Sequence, residues 1–586
     1  MSSSTPSLAD RPSAPGAPQP DPQRTAALRS RRAPSWLTVA AVLLGALFVA
    51  PILAVAVSIF QESNGSWALM ADTVLPRYVW NTVMLGIWVA LGTAVIGAGA
   101  AWLVTMYRFP GRRIFEWALA LPLAFPAYVL AYAYTDLLDH PGWVQTSLRA
   151  VTGWGPRDYW FPEIRSLEGA AVMLVLVLYP YVYLLGRAAF LQQSVCALDV
   201  ARTLGTGPWG TFRRVALPMA RPALVTGVAL VLMETLADFG TVAHFGVQTF
   251  ATGIYRAWFS MGDRIAAAQL STCLLGFVLV LLVLERTQRR AARFQASGAR
   301  FSDLRTETLT GFPAVAAMVF CAVPVTLGFV LPLAVLTSMT LEGGHAFFGP
   351  RYIGYALNSL TLAGIAAALT VAAAMLLAYA ARLSDAQPGN PERWRAARIA
   401  NAVASLGYAV PGGVIAVGLL IPLAAFDNAL DAWMRSTFGL STGLLLTGSL
   451  TVLVFAYMVR FMSVALQTVE AGLAKVTPSM DYAARALGEN AGGALRRVHL
   501  PMLRGGLLTA GLIVFVDVMK ELPATLIMRP FDFDTLAVQA YRLAEDERLL
   551  QASTPSLAIV AVGLIPVLLL SREIRRSRPG ATRAAE

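Results

Sequence analysis

The sequence predicts an all-α polytopic membrane protein made of two parallel six-helix halves, about 12 transmembrane helices in all. Three observations carry this. The 586 residues are 56% hydrophobic and only 14% charged, where a soluble domain carries about 25% charge. Twelve apolar stretches each approach the roughly 20 residues that cross a bilayer at 1.5 Å rise per residue. One basic stretch also occurs twice, 283 positions apart.

Residues 1–35 are rich in Pro, Ser and Ala and hold no apolar run. Such a segment cannot bury enough surface to fold, so a disordered cytoplasmic tail is expected. Arg24, Arg29, Arg31 and Arg32 close it, and positive charge beside a first span holds that end in the cytoplasm. A first half of six spans is expected over 36–285, with spans near 36–60, 80–106, 114–138, 169–191, 221–243 and 265–284. A basic cytoplasmic linker follows at 286–312. The second half covers 313–571, with spans near 313–338, 356–380, 399–425, 443–467, 504–528 and 554–571, and a basic cytoplasmic tail occupies 572–586.

Charge placement supports this count. Arginines gather in alternate loops, at Arg108, Arg112 and Arg113, at Arg286, Arg289, Arg290 and Arg293, and at Arg393, Arg395 and Arg398. The intervening loops are neutral or acidic, most clearly 529–548. Both termini are therefore expected in the cytoplasm. The net charge of +12 follows this topology and gives no reason to invoke nucleic acid. Six spans before the linker and six after give the halves one orientation, as parallel repeats. Asn81 begins span two as Asn358 begins span eight, and Pro126 and Pro411 fall inside spans three and nine, where they should bend the helix. The cysteines Cys196, Cys273 and Cys321 show no metal-ligand spacing and read as small apolar residues.

The duplicated stretch runs DVARTLGTGPWGTFRRVALPMARPAL from Asp199 and YAARALGENAGGALRRVHLPMLRGGL from Tyr482, with 13 of 26 residues identical. Each copy reads as a helix ended by Gly205 or Gly488 in a left-handed turn, then a second short helix ended at Leu217-Pro218 or Leu500-Pro501. Ala201, Ala483 and Ala484 give it a face of small residues that a partner could approach closely. A basic loop that only fixed topology would need no shared spacing.

This pattern resembles the E-A-A-x3-G-x9-I-x-L-P loop of permease subunits in bacterial ABC importers. The first copy matches as Asp199-Val200-Ala201, Gly205 and Leu217-Pro218, the second as Tyr482-Ala483-Ala484, Gly488 and Leu500-Pro501. Tyr482 departs from the acidic first position, although Asp481 is adjacent. The stretches YPYVYLLGRAAF at 179–190, METLADFGTVAHFGVQTFATGIYRAWF at 233–259, GYAVPGGVIAVGLL at 407–420 and DVMKELPATLIMRPFDFDTLAVQAYRLAEDERL at 517–549 look most like the fused ferric iron permeases. The resemblance implies a multi-pass subunit of the bacterial inner membrane that translocates ferric iron by alternating access. It implies coupling helices that dock a homodimer of cytoplasmic ABC ATPase subunits, and delivery by a periplasmic solute-binding protein. Related permeases carry thiamine, phosphonate or other small solutes. Neither lysine, Lys475 or Lys520, sits in a G-x4-G-K-[ST] loop, so ATP and Mg are expected on the partner ATPase, with no cofactor and no catalytic residue in this chain.

Charges inside spans are costly and mark either a path or a packing cluster. Span eleven holds Asp517, Lys520 and Glu521, expected on one helix face, and span five holds Glu234 and Asp238. Tyr128 and Tyr132 lie one turn apart in span three. These seven residues are the candidate translocation path, with Lys520 expected to neutralise its neighbours, and no tight metal site is expected among them. A secondary transporter driven by an ion gradient is the rival from another class. It would use the carboxylates as relays and would not need a duplicated docking loop.

Overall fold

The computed structural model describes residues 35–63, 65–191, 193, 203, 205–293, 307–343, 349–385 and 391–576. Most of the two tails, the middle of the linker, and Asp199, Val200 and Ala201 lie outside the described residues. The first half contains α1 (Ser35–Val57), α2 (Leu75–Met106), α3 (Ala127–Leu138), α4 (Leu167–Leu191), α5 (Leu217–Ala237), α6 (Gly240–His244), α7 (Phe250–Tyr255) and α8 (Arg264–Arg293). The second contains α9 (Phe312–Gly343), α10 (Pro350–Asp385), α11 (Gly412–Phe438), α12 (Leu450–Leu473), α13 (Pro478–Ala486), α14 (Leu500–Met519), α15 (Pro523–Met528), α16 (Leu536–Glu545) and α17 (Leu549–Arg576). Eleven helices among the described residues are long and apolar enough to cross a membrane, or twelve if Arg112–Ala124 and Ala127–Thr152, bent by 92°, form one span. The protein is an all-α polytopic membrane protein. One short parallel strand pair, Tyr107–Arg108 with Glu307–Thr308, ties the end of the linker to the end of α2.

The sequence repeat is a structural repeat. α4 and α12 begin at 167 and 450, α5 and α14 at 217 and 500, and α6 and α15 at 240 and 523, each 283 positions apart. In each half the second, fourth and fifth spans pack together, α2 with α4 and α5, and α10 with α12 and α14. Lipid is as apolar as leucine, so helices associate through close packing of small residues. Gly97 of α2 shows this: a Cβ there would lie 2.9 Å from the Tyr179 carbonyl of α4.

The halves exchange their first spans. α1 lies against Pro391–Ala404 and α11 of the second half. Gly418 of α11 sits so close to the Pro51 carbonyl that no Cβ fits, and Phe48 stacks on Phe455 with centroids 5.7 Å apart. In return α9 lies between the first half and α17. Phe329 packs edge-on to Phe125 at 5.6 Å, and the Tyr134 hydroxyl donates to the Leu327 carbonyl at 2.7 Å.

Two expectations about the spans need correction. Pro126 and Pro411 do not bend continuous helices. Each helix stops in a 3₁₀ turn, Leu121–Ala124 or Ser405–Ala409, and restarts with the proline as N-cap at ψ 141° or 142°. Proline lacks an N–H and pushes the residue before it out of the helical region. Phe125 and Val410 are accordingly extended, at ψ 129° and 124°. The fifth spans also end early, at Ala237 and Met519 rather than 243 and 528. Beyond them the chain folds back as short helices, α6–α7 and α15–α16. Asn81 and Asn358 fasten these segments, donating to the Gln248 carbonyl at 2.8 Å and the Asp534 carbonyl at 3.1 Å. Non-helical backbone at membrane depth must be satisfied inside the protein, and this is the role of the paired asparagines.

Candidate functional site: a charged central cavity and two repeated loops

The broken ends of both halves meet around a cavity of about 120 Å³, lined by Tyr128, Tyr181, Glu234, Asp238, Tyr408, Arg460, Asp517, Lys520 and Glu521 among others. Its size suits a few waters. A charge at mid-membrane costs about 2.5–3.5 kcal/mol, so each needs a partner. Asp238 and Glu521, 283 positions apart, do the same work in the two halves. Asp238 accepts from Thr241 Oγ1 at 2.9 Å and Val242 N at 3.2 Å, capping α6. Glu521 accepts from Ala524 N at 3.0 Å, Thr525 N at 3.1 Å and Thr525 Oγ1 at 2.8 Å, capping α15. These two carboxylates therefore hold the re-entrant helices as well as lining the cavity. The capping geometry also overturns the expected single helix face. α14 ends at Met519, so Lys520 is its C-cap and Glu521 has left the helix.

The second equivalent pair is Glu234 and Asp517. Glu234 accepts from the Tyr408 hydroxyl at 3.0 Å, and Asp517 pairs with Lys520 at 2.9 Å. The cations come from the second half alone. Lys520 stands where the first half has Ala237, and Arg460 where it has Val177. Arg460 donates to Glu521 at 3.0 Å, with the glutamate side chain only 1% exposed. The cavity wall thus carries four carboxylates and two cations. Tyr128 lines it with its buried hydroxyl unpartnered. Tyr132 does not reach it: its ring packs on Tyr128 at 5.7 Å and on His244 at 4.8 Å.

Phe239 separates this cavity from a second, of about 450 Å³, at the end away from the repeated loops. Its ring lies on Tyr255 with centroids 3.6 Å apart and on Tyr541 at 5.6 Å. The Tyr255 hydroxyl donates to the Pro523 carbonyl and fixes the stack across the two halves. Sequence reasoning missed Arg460, Tyr408 and Phe239. Arg460 was findable, being an arginine inside an apolar span; Phe239 carries no signal that sets it apart from other buried aromatics.

From Gly205 and Gly488 onward the described parts of the repeated loops correspond. Gly205 and Gly488 are left-handed, at φ 78° and 86°, a region only glycine enters without strain. Contrary to the expectation from sequence, the leucine-proline pairs do not turn the chain. Pro218 and Pro501 sit in the first turn of α5 and α14, each preceded by a π turn, Phe212–Ala216 or Leu495–His499. The wider turn lets Leu217 N reach Phe212 O and Leu500 N reach Leu495 O, re-registering the helix where proline lacks its donor. In the second copy Tyr482, Ala483 and Leu487 are exposed, whereas Ala484 is buried. Asp481 is used internally, pairing with Arg382 at 2.8 Å and His499 at 2.7 Å. It is therefore not a spare acid beside Tyr482.

At the opposite end a latch joins the halves. Arg165 donates to both Glu547 oxygens at 2.8 and 2.9 Å and to Asp139 at 3.0 Å. Glu547 holds a left-handed φ of 58°, and the Arg165 hydrogen bonds lower its pKa. A carboxylate lowered in this way contributes stability above its unfolded value, lost as pH falls through the lowered one. Arg165→Ala should change unfolding stability by less than about 1 kcal/mol, since Glu547 is 61% exposed and solvent screens the pair. It should also remove the part of the acid destabilisation that Glu547 contributes. Thermal melts of both forms from pH 7 down to the carboxylate range check this.

Comparison with known proteins identifies the family. The family described as "Binding-protein-dependent transport system inner membrane component" matches residues 93–293. The sulfate transport system permease protein CysT of Salmonella typhimurium is 31% identical over 207 residues, covering 33% of this chain and 70% of that one. The chain belongs to the binding-protein-dependent inner membrane permeases. Two further relatives span both halves of this permease. The Fe(3+)-transport system permease protein FbpB 2 of Haemophilus influenzae is 26% identical over 554 residues, covering 92% of this chain and 99% of the relative. The ferric transport system permease protein FbpB of Actinobacillus pleuropneumoniae is 22% identical over 524 residues, covering 84% and 71%. The protein is the membrane-spanning permease of a binding-protein-dependent importer.

Proposed function

We propose that this permease carries ferric iron inward across the bacterial inner membrane, with the repeated loops in the cytoplasm. The observation that carries the reading is coverage. The ferric relative from Haemophilus influenzae matches both fused halves end to end, whereas the sulfate relative from Salmonella typhimurium matches about a third of the chain. A cavity wall with four carboxylates and neighbouring tyrosines is chemically apt for a hard cation, which prefers oxygen ligands. Two ATPase subunits dock on the loops around Gly205 and Gly488, and a periplasmic binding protein docks at the opposite face. The ATPase dimer favours one of two permease states when ATP is bound, and that differential affinity drives alternating access.

Reconstitution in vesicles with the ATPase and binding protein tests this. Uptake of ferric iron should require ATP and both partners. Gly205→Val with Gly488→Val should abolish it while the protein still inserts, because β-branched residues pay about 1–2 kcal/mol or more in a left-handed turn. ATP-dependent uptake of sulfate but not iron would keep the machine and change the cargo. Uptake by this chain alone, driven by an ion gradient and indifferent to the loop variants, would favour the secondary transporter.

A further inference from the structure

The larger cavity beyond Phe239 has a charge opposite to that of the inner one. Arg256, Arg529 and Arg542 line it, with Glu545 as the acidic residue in the same wall. Arg529 and Arg542 are held by one carboxylate behind them, Asp534, at 2.6 and 3.2 Å. Arg256 follows α7 in the π turn Arg256–Ser260. Its guanidinium has no ion pair or hydrogen bond among the described residues. The wall itself carries three guanidinium groups against one carboxylate, Glu545, while Asp534 and Asp532 act on Arg529 from behind it. Gln248 stands in the same wall, and its buried amide oxygen lacks a donor. Its amide Nε2 is the donor it can offer the cavity.

We propose that this vestibule is a subsite for a small oxyanion, gripped by Arg256 and Gln248 in the field of Arg529 and Arg542. A guanidinium presents a planar fork that fits phosphate, sulfate or carboxylate oxygens two at a time. The site lies outside the Phe239 barrier, so the oxyanion is bound before the cavity is reached. A bare trivalent cation is repelled there, although the carboxylates inside attract it. The inference rests on the permease reading and refines its cargo: the oxyanion is either cargo itself or a ligand carried on the metal.

The test is calorimetric binding to the full-length protein in lipid nanodiscs, without ATP or other subunits. Its failure would therefore leave the transport reading standing, and a transport failure would leave this one. Inorganic phosphate, sulfate, and ferric ion mixed with phosphate are titrated in turn. At least one should bind saturably, and Arg256→Gln should weaken it about tenfold or more through loss of the bidentate grip. Arg264→Gln should not, because that guanidinium stacks on Trp258 at 5.9 Å and is not part of the vestibule wall. Phosphate or sulfate binding alone marks the free anion as ligand; binding only with the metal marks the anion as its escort. No saturable binding, or equal binding to Arg256→Gln, overturns the subsite.

Discussion

Arg460→Leu should destabilise the permease by about 3–5 kcal/mol, the usual cost of leaving one member of a buried ion pair alone. Glu521 is only 1% exposed and would lose its cation while still capping α15. Adding Glu521→Gln should recover part of the loss, because it removes the unpaired charge, although its single amide oxygen can replace only one of the two carboxylate oxygens that accept from Ala524 N and Thr525 N. Denaturation of the three forms in lipid or detergent reads this directly. If Arg460→Leu alone unfolds with wild type, Glu521 does not depend on that guanidinium and the cavity's charge balance has been misassigned.

Phe239→Ala should join the inner cavity to the vestibule. The readout is a thiol at Ala237, which lines the inner cavity, in a background lacking the native cysteines. A membrane-impermeant reagent applied from the vestibule side should label it about tenfold faster once the ring is gone, equivalent to about 1.4 kcal/mol off the barrier. Truncating a buried phenylalanine also costs about 3–5 kcal/mol of stability, so labelling is compared at temperatures well below either melting point. An unchanged rate would mean that Tyr255 and Tyr541 close the passage without Phe239.

Much of this architecture is legible in the chain because membrane solvent leaves few choices. Apolar length fixes the spans, and a repeat without gaps fixes the equivalence of Gly205 with Gly488, while Asn81 and Asn358, 277 positions apart, correspond only by their place at the start of a span. What Asn81 and Asn358 hold was not legible, since their partners, the Gln248 and Asp534 carbonyls, lie 167 and 176 residues away. The prolines were legible as breaks but not as restarts, because a kink and an N-cap both satisfy the same missing donor. Glu234 and Asp238 stand out equally as buried acids. Only geometry separates the one bonded to Tyr408 across the halves from the one capping its own next helix. The exchange of α1 and α9 leaves no local trace at all, since glycine at 418 looks like any other small residue in an apolar helix.

That exchange puts a clock on biosynthesis. α1 is complete at Val57, but its seat begins at Pro391, 334 residues later by subtraction. At about 5–20 residues per second, the ribosome takes roughly 20–70 s to make it. Through that interval the first helix sits in the bilayer without its second-half partners, while α9 emerges with the first-half side of its seat made and α17 still to come. The permease is thus completed from its far end, and a chain stalled before residue 391 would leave α1 without those partners.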